Sequence, residues 1–443
     1  MRRVILKCLK LLPFAAALLL AGAILFNASA VSKSRRHHAR TTASQRLFAE
    51  GRAVFRFDTF GDEAFWGGTL GLHRAIEGAA NGGVGPGLSP KAALAAGLKV
   101  DANALPASVV TAIKRGKVDL NSPKTTLALH KLGAVVGVQG SFNRNGSLRT
   151  VGLTCAVCHS TVNNSFAPGI GQRLDGWPNR DLNVGAIISL APDLSVLEKL
   201  LGVDEPTVKK VLASWGPGKF DAELTMDGKA FRPDGGSAAV LIPPAFGLAG
   251  VNLATWTGWG TVTYWNAFVA NLEMHGQGNF YDTRLDDSNQ FPVAAKNGFG
   301  HVRHAVDLIS PALGPLHFYQ LGLPAPSPPK GSFDPAAARR GRAIFDGQGK
   351  CASCHVPPTF SEPGQNLHKP SEVCTDSFTA DRSPTHMYRT APLRGLFAHS
   401  KGGFYHDGRY PTLAAVVDHY DSCLGLHLTP QQKGDLVQYL KSL

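Results

Sequence analysis

Apolar residues recur along this 443-residue chain in short runs spaced i, i+3 and i+4, which lines them up on one face of a helix. "SPKAALAAGL" (89–98), "PASVVTAIKRG" (106–116), "SVLEKLLG" (195–202) and "EPTVKKVLASWG" (205–216) all show this spacing. Several open on Ser, Asp or Pro and stop at Gly, as helices do. Period-two alternation is scarce, so the pattern predicts an all-α fold with long loops. "LGLPAPSPPKGSFDP" (321–335) is too rich in proline to continue a helix and reads as a linker. After it, "AAARRGRAIFDGQGKCASCH" (336–355) reads as a helix running straight into a pair of cysteines.

The strongest apolar run, Leu11 to Phe26, lies behind Arg2, Arg3, Lys7 and Lys10 and ahead of Ala28-Ser29-Ala30. That order predicts an export signal over residues 1–30, cut after Ala30, with an uncleaved membrane anchor as the rival reading. Cys8 falls within it. An exported chain of this kind is expected in the periplasm. Four divisions follow: 1–30 signal peptide, 31–125 helical extension, 126–325 a first domain with an insertion, and 333–443 a second domain.

The formal charge of +13 is concentrated at the start: residues 1–40 carry eight cations and no acid, which leaves +5 for the remainder. The stretch "SKSRRHHAR" (32–40) reads as a solvated arm near the membrane face, or a plain linker. Nothing in this distribution points to nucleic acid. Oligomeric state leaves no mark on the sequence.

The candidate chemistry lies in "GLTCAVCHS" (152–160) and "KCASCHVP" (350–357). A thioredoxin-type dithiol follows a strand in an α/β pattern, which is not seen here. A four-thiolate zinc site would use Cys155, Cys158, Cys351 and Cys354 but leave His159 and His355 without a role. A c-type haem uses every residue: two thiols add across the vinyl groups and the adjacent His ligates iron. The expectation is two covalently bound haems, with structural disulfides or zinc as the bland alternative. Cys374 and Cys423 remain, either as a disulfide or as two unrelated buried thiols.

Residues 390–421, "TAPLRGLFAHSKGGFYHDGRYPTLAAVVDHYD", resemble the signature region of bacterial di-haem cytochrome c peroxidases and their MauG-type relatives. Pro392, Leu393, Arg394, His406, Asp407, Gly408, Thr412 and Leu413 carry the match. The resemblance implies two cytochrome c-like haem domains. It places the sixth ligand of the second haem seven residues past Leu413, at Tyr420, with His419 and Met387 as rivals. A fainter match, "TWTGWGTVTYWNAFVANLEMHG" (255–276), implies that Trp256 relays electrons between haems and that Glu273 stands over the first haem. Thr257 and Trp259 replace the family's Asp and Arg there.

One carboxylate beside an open iron can take a proton from peroxide and return it to the departing oxygen, and a dry pocket would raise its pKa to suit. No His follows the first motif in "STVNNSFAPGIGQRLDGWPNRDLN" (160–183), so the first haem is expected open unless His73 or His130 reaches it. Three functions are in contention. They are reduction of hydrogen peroxide or a similar oxidant with electrons from a small redox protein, non-enzymatic electron transfer, and MauG-like oxidation of a protein or organic substrate. Family members hold calcium between their domains; the turn "AHSKGGFYHDG" (398–408) carries a two-residue insertion near the expected ligand and leaves that open.

Overall fold

The computed structural model describes residues 42–443. The chain divides into two compact units, residues 1–50 and residues 51–443. In the first, residues 42–50 are helical; the export segment, Cys8 and the basic arm lie outside the described residues. No helix among the described residues is long and apolar enough to cross a membrane.

Within residues 51–443 the amphipathic runs form helices where the spacing places them: Pro90–Ala95, Ala107–Lys114, Ser195–Leu201 and Glu205–Trp215. Their ends follow capping chemistry. Ser89 and Asp204 accept from the backbone N–H of Ala92 and Thr207, and Gly202, in the left-handed region, ends the third helix. The last helix buries Val208, Val211, Leu212 and Trp215.

The all-α expectation is wrong. The described residues include five two-stranded sheets, so the fold is mixed α/β. Val138–Phe142 pairs antiparallel with Leu148–Leu153, and Ser160–Val162 with Arg173–Asp175, so strands flank the first cysteine motif on both sides. Val100–Asp101 pairs in parallel with Ile170–Gly171. The remaining pairs are Lys219–Phe220 with Val240–Leu241 and Asn279–Tyr281 with His301–Arg303. Strands of two to six residues are too short to display an alternation that stands out from loop. One signal was present: "NRNG" (143–146), where Gly146 takes φ +87° and donates its N–H to the Asn143 carbonyl at 2.9 Å, closing a hairpin.

The helix ahead of the second motif also stops sooner than its pattern suggests. It spans Pro335–Asp346 and ends at Gly347, and Cys351–Ser353 form a separate tight turn. Several apolar clusters form among the described residues, and Cys158 and Cys351 sit against two of them. The larger gathers Trp66, Leu70, Val100, Val138, Val151, Leu182, Leu212 and Trp215, with Cys158 packed against it. The smaller gathers Phe345, Phe360, Leu396, Val417, Leu436 and Tyr439, with Cys351 against it. A disulfide joins Cys374 to Cys423.

Two helices, Pro335–Asp346 and Pro430–Lys441, close the smaller core at short range. Arg340 grips Asp435 through Nε and Nη2 at 2.8 and 2.7 Å, and beside it a Cβ on Gly341 would sit 2.0 Å from the Asp435 carbonyl oxygen. In an open helix Gly→Ala gains about 1 kcal/mol. Here Gly341→Ala is expected to lower stability by about 1–3 kcal/mol through overpacking. Thermal unfolding reads this directly, and a Tm at or above wild type would refute the close approach.

Candidate functional site: an apolar cavity at the first cysteine motif

The strand Leu148–Leu153 delivers the chain to Thr154, which is fully buried and takes the N–H of Ala156 on its Oγ1 at 3.3 Å. That bond starts the four-residue helix Ala156–His159. Its last carbonyls are then capped from downstream: Asn179 N–H reaches Cys158 O and Gly176 N–H reaches His159 O, each at 2.8 Å. The motif is therefore held by backbone on both sides.

Cys155, Cys158 and His159 open onto a cavity of about 270 Å³ whose wall is mostly apolar and also includes Trp256, Trp265, Glu273 and Met274. Both thiols are free. Burial pushes them up to about 12, so as free thiols they stay protonated. Burial pulls His159 down to about 4, against the Pro243 carbonyl, which favours the proton. The ring is thus neutral, as a metal-ligating imidazole must be, and its Nδ1 makes no hydrogen bond of good geometry. His130 also lines this cavity, is buried, and leaves Nδ1 unpartnered; His73 is not among the lining residues.

Glu273 ends a π-helical turn, Val269–Glu273, that continues the helix Val262–Phe268. Its Oε1 accepts from Thr225 Oγ1 at 3.2 Å. Burial raises its pKa well above the usual range; the Thr225 bond opposes this, and the negative neighbours Glu223 and Asp221 add to it. The partial accessibility of Glu273 is accessibility to the cavity it lines, so its environment is that of a buried group. Glu223 shares that wall and is pushed up to about 7, chiefly by burial, while Arg382 draws it down.

Arg382 lies behind this wall, 1% exposed. It holds Asp227 through Nε at 2.8 Å and Nη2 at 3.0 Å, and its Nη1 is 2.9 Å from Asp221 Oδ1. These two acids bracket Glu223 and Thr225. The sequence reading missed Arg382, Asp221, Glu223 and Thr225. The only trace was the run of acids in "FDAELTMD" (220–227), set among residues that otherwise look like core.

Trp256 lines the cavity and donates Nε1–H to the Leu241 carbonyl at 3.0 Å. Leu241 in turn donates its N–H to the carbonyl of His406 at 2.7 Å, so Trp256 stands where the middle segment meets the His-Asp-Gly turn. Beside that turn, Asp376, His406 and Asp407 come within reach of one ion. Both carboxylates are already paired with Arg232 and Arg409, so a cation would have to displace two guanidinium groups.

At the second motif, His355 donates Nδ1–H to the Phe360 carbonyl at 2.9 Å, which fixes the ring and leaves Nε2 for a metal. Tyr420, on the helix Leu413–Leu424, lies within the electrostatic reach of Cys351 and Cys354 and bonds to Tyr405. Its pKa is raised, mainly by burial. His419 instead spends Nε2 on the Cys374 carbonyl at 2.7 Å and stacks on Tyr410, ring centroids 4.6 Å apart. Met387 sits on a segment whose next residue, Tyr388, pairs with the backbone of His368.

The residues fit a c-type haem. Cys155 packs with Phe60, Met274 and Ile309, Cys158 packs on the larger core, and Cys351 packs on the smaller one, so the two cysteine pairs do not merge into one four-thiolate site. What they do share is a neutral histidine next to the second cysteine and, at the first motif, an apolar cavity against both thiols.

No protein-family model matches the chain. In sequence it is 30% identical over 128 residues to the methylamine utilization protein MauG of Methylorubrum extorquens, covering 24% of this chain and 35% of MauG. The match thus spans about a third of that relative's length. Among solved structures, a MauG-like protein associated with microbial copper homeostasis aligns with 49% of this chain and 77% of its own, at 18% identity and a TM-score of 0.31. Hydrazine synthase of Kuenenia stuttgartiensis aligns with 30% of this chain and 56% of its own, at 24% identity and a TM-score of 0.21. With two Cys-x-x-Cys-His motifs, the His-Asp-Gly segment and the MauG match, the chain is distantly similar to the MauG and di-haem cytochrome c peroxidase-like family.

Proposed function

We propose that this protein is an exported, periplasmic di-haem c-type oxidoreductase that reduces hydrogen peroxide. The observation that carries the reading is Glu273, a carboxyl with a strongly raised pKa on the wall of the cavity that also holds Cys155, Cys158 and His159. Reduction consumes two electrons and two protons per peroxide and yields two waters. Haem bound through these cysteines and ligated by His159 supplies the redox-active iron. The chain's own part is to handle protons and exclude water.

Ionised Glu273 accepts the proton of incoming peroxide and returns it to the departing oxygen. Thr225 holds the carboxyl in place through its Oγ1, and Glu223, on the same wall and pushed up to about 7, chiefly by burial, is a store for a second proton. Apolar residues keep bulk water out, so the proton goes to the reacting oxygen. Trp256 bridges toward the His-Asp-Gly turn and would relay electrons that a small redox protein delivers at the second motif, where Cys351, Cys354 and His355 would hold the second haem. In this reading Tyr420 would help hold the second haem, because it lies within electrostatic reach of Cys351 and Cys354 while His419 spends Nε2 on the Cys374 carbonyl. That same tyrosine favours a second reading, MauG-like oxidation of a protein or organic substrate.

Three outcomes test this. Glu273→Gln should keep full haem content and lose about 10²–10⁴-fold in peroxide turnover, the usual worth of a general acid–base group. An unchanged rate would leave the electron carrier as the better reading. Because burial and the charges of Glu223 and Asp221 raise the pKa of Glu273, its ionised fraction is small at low pH. The wild-type rate should therefore climb with pH toward that pKa, and the Gln variant should lose the climb. Tyr420→Phe should change the absorption and EPR spectra of one haem while His419→Phe leaves them as in wild type; the reverse result would move the ligand to His419.

A further inference from the structure

Among the described residues, the buried and partly buried guanidinium groups are, with two exceptions, matched to carboxylates. Arg382 holds Asp221 and Asp227, Arg173 holds Asp175, and Arg232 and Arg409 share Asp376 and Asp407. Arg180 and Arg389 have no such partner among the described residues. Arg180 is 5% exposed and makes a single bond, from Nη1 to the Lys401 carbonyl at 3.3 Å, leaving Nε and Nη2 unsatisfied. Arg389 gives Nε to the Thr255 carbonyl and leaves Nη1 unsatisfied. Burial draws both down to about 10, with no neighbouring carboxylate to offset it. A guanidinium does not give up its proton in a protein, so each is a dry cation that calls for an anion.

Their placement says where that anion belongs. Arg389 donates its backbone N–H to the Trp256 carbonyl at 3.1 Å. Arg180 comes to the same junction by way of Leu241. A Cβ on Gly402 would come within 3.0 Å of Leu241 Cδ2 and 3.8 Å of Arg180 Nη1, and Leu241 carries the Trp256 indole hydrogen bond. Arg180 also follows directly on Asn179, whose N–H caps the Cys158 carbonyl. His399, 8% exposed with Nε2 unpartnered, feels the charge of Arg180 and adds a further donor there. Two unmatched cations thus belong to the neighbourhood of Trp256, one through the Trp256 backbone and the other through Leu241.

We infer that Arg180 and Arg389 are the counter-ions of haem propionates and set the redox potentials on either side of Trp256. The inference rests on the di-haem reading above. Each haem carries two carboxylates, and a guanidinium is shaped to grip a carboxylate through two parallel N–H bonds. A cation paired with a propionate stabilises the reduced, less positive iron and keeps the propionate ionised at all working pH values.

The test uses the full haem-loaded chain. A pyridine haemochrome assay first counts haems in the wild type, and a count below two sinks the di-haem reading itself, separately from this inference. Potentials are then measured by spectroelectrochemical titration across neutral pH. Arg180→Gln or Arg389→Gln should lower the midpoint potential of one haem. The same variant should make that potential pH-dependent, because the freed propionate now takes up a proton on reduction. Fully loaded variants with wild-type potentials and pH profiles overturn the inference. Should a Gln variant fail to load, Arg→Lys keeps the charge but not the two-pronged grip, and it should shift the propionate bending bands in resonance Raman spectra. Unchanged bands overturn the inference equally. A wild-type potential that tracks added phosphate would show that the guanidinium groups take a solvent anion, which also overturns it.

Discussion

Burial of the side chains around Cys155 and His159 is the constraint on which the rest of this structure depends. Desolvation keeps His159 neutral and raises Glu273 far above the usual carboxyl range. It also makes each unmatched charge nearby costly, and the surrounding structure is arranged to meet that cost. Arg382 draws Asp221 and Asp227 together, and the segment they bracket presents Thr225 and Glu223 toward Glu273. Breaking such a buried pair by removing one partner costs about 3–5 kcal/mol. The positioning of the Glu273 carboxyl is therefore inseparable from an ion pair that links residues 155 positions apart.

The two motifs meet this constraint differently. At the first, both thiols are pushed up to about 12, and the surrounding wall is largely apolar. At the second, Cys351 reaches about 11, and the neighbours are tyrosines: Tyr405 against Tyr420, and Tyr410 stacked on His419. A phenol cluster accepts charge and hydrogen bonds that an aliphatic wall cannot. In the proposed function this asymmetry separates a closed site for peroxide chemistry from a more polar site for electron entry. The disulfide between Cys374 and Cys423 holds the loop carrying the Cys374 carbonyl against the helix of Tyr420, and that carbonyl occupies His419. A crosslink thus bears on which side chain is left to face the second motif.

What could be read from sequence follows the range of the forces involved. Helical faces, caps and the cysteine motifs are local patterns, and Pro90–Ala95, Glu205–Trp215 and the two Cys-x-x-Cys-His segments were legible. The strands were not, because pairs such as Val100 with Ile170 are set by tertiary contact and are too short to alternate visibly. The weak match at 255–276 still led to Trp256 and Glu273 on the cavity wall, where both are found. Arg382, Arg180 and Arg389 gave no signal: a charge's meaning lies in its partner, and neither the partner nor its absence is written at neighbouring positions.

Paired and unpaired buried charges therefore carry different information. A matched pair such as Arg382 with Asp227 explains itself, since each charge is the other's reason for being buried. Arg180 and Arg389 have no such internal reason, and replacing either by an apolar residue of similar volume would relieve the chain of a desolvated cation. Stability alone does not account for a protein that places two of them around one tryptophan. A cofactor that brings its own carboxylates does, and it would account equally for an apolar cavity against two thiols and a neutral histidine. The same non-protein group thus balances features that, taken residue by residue, look like faults in the packing.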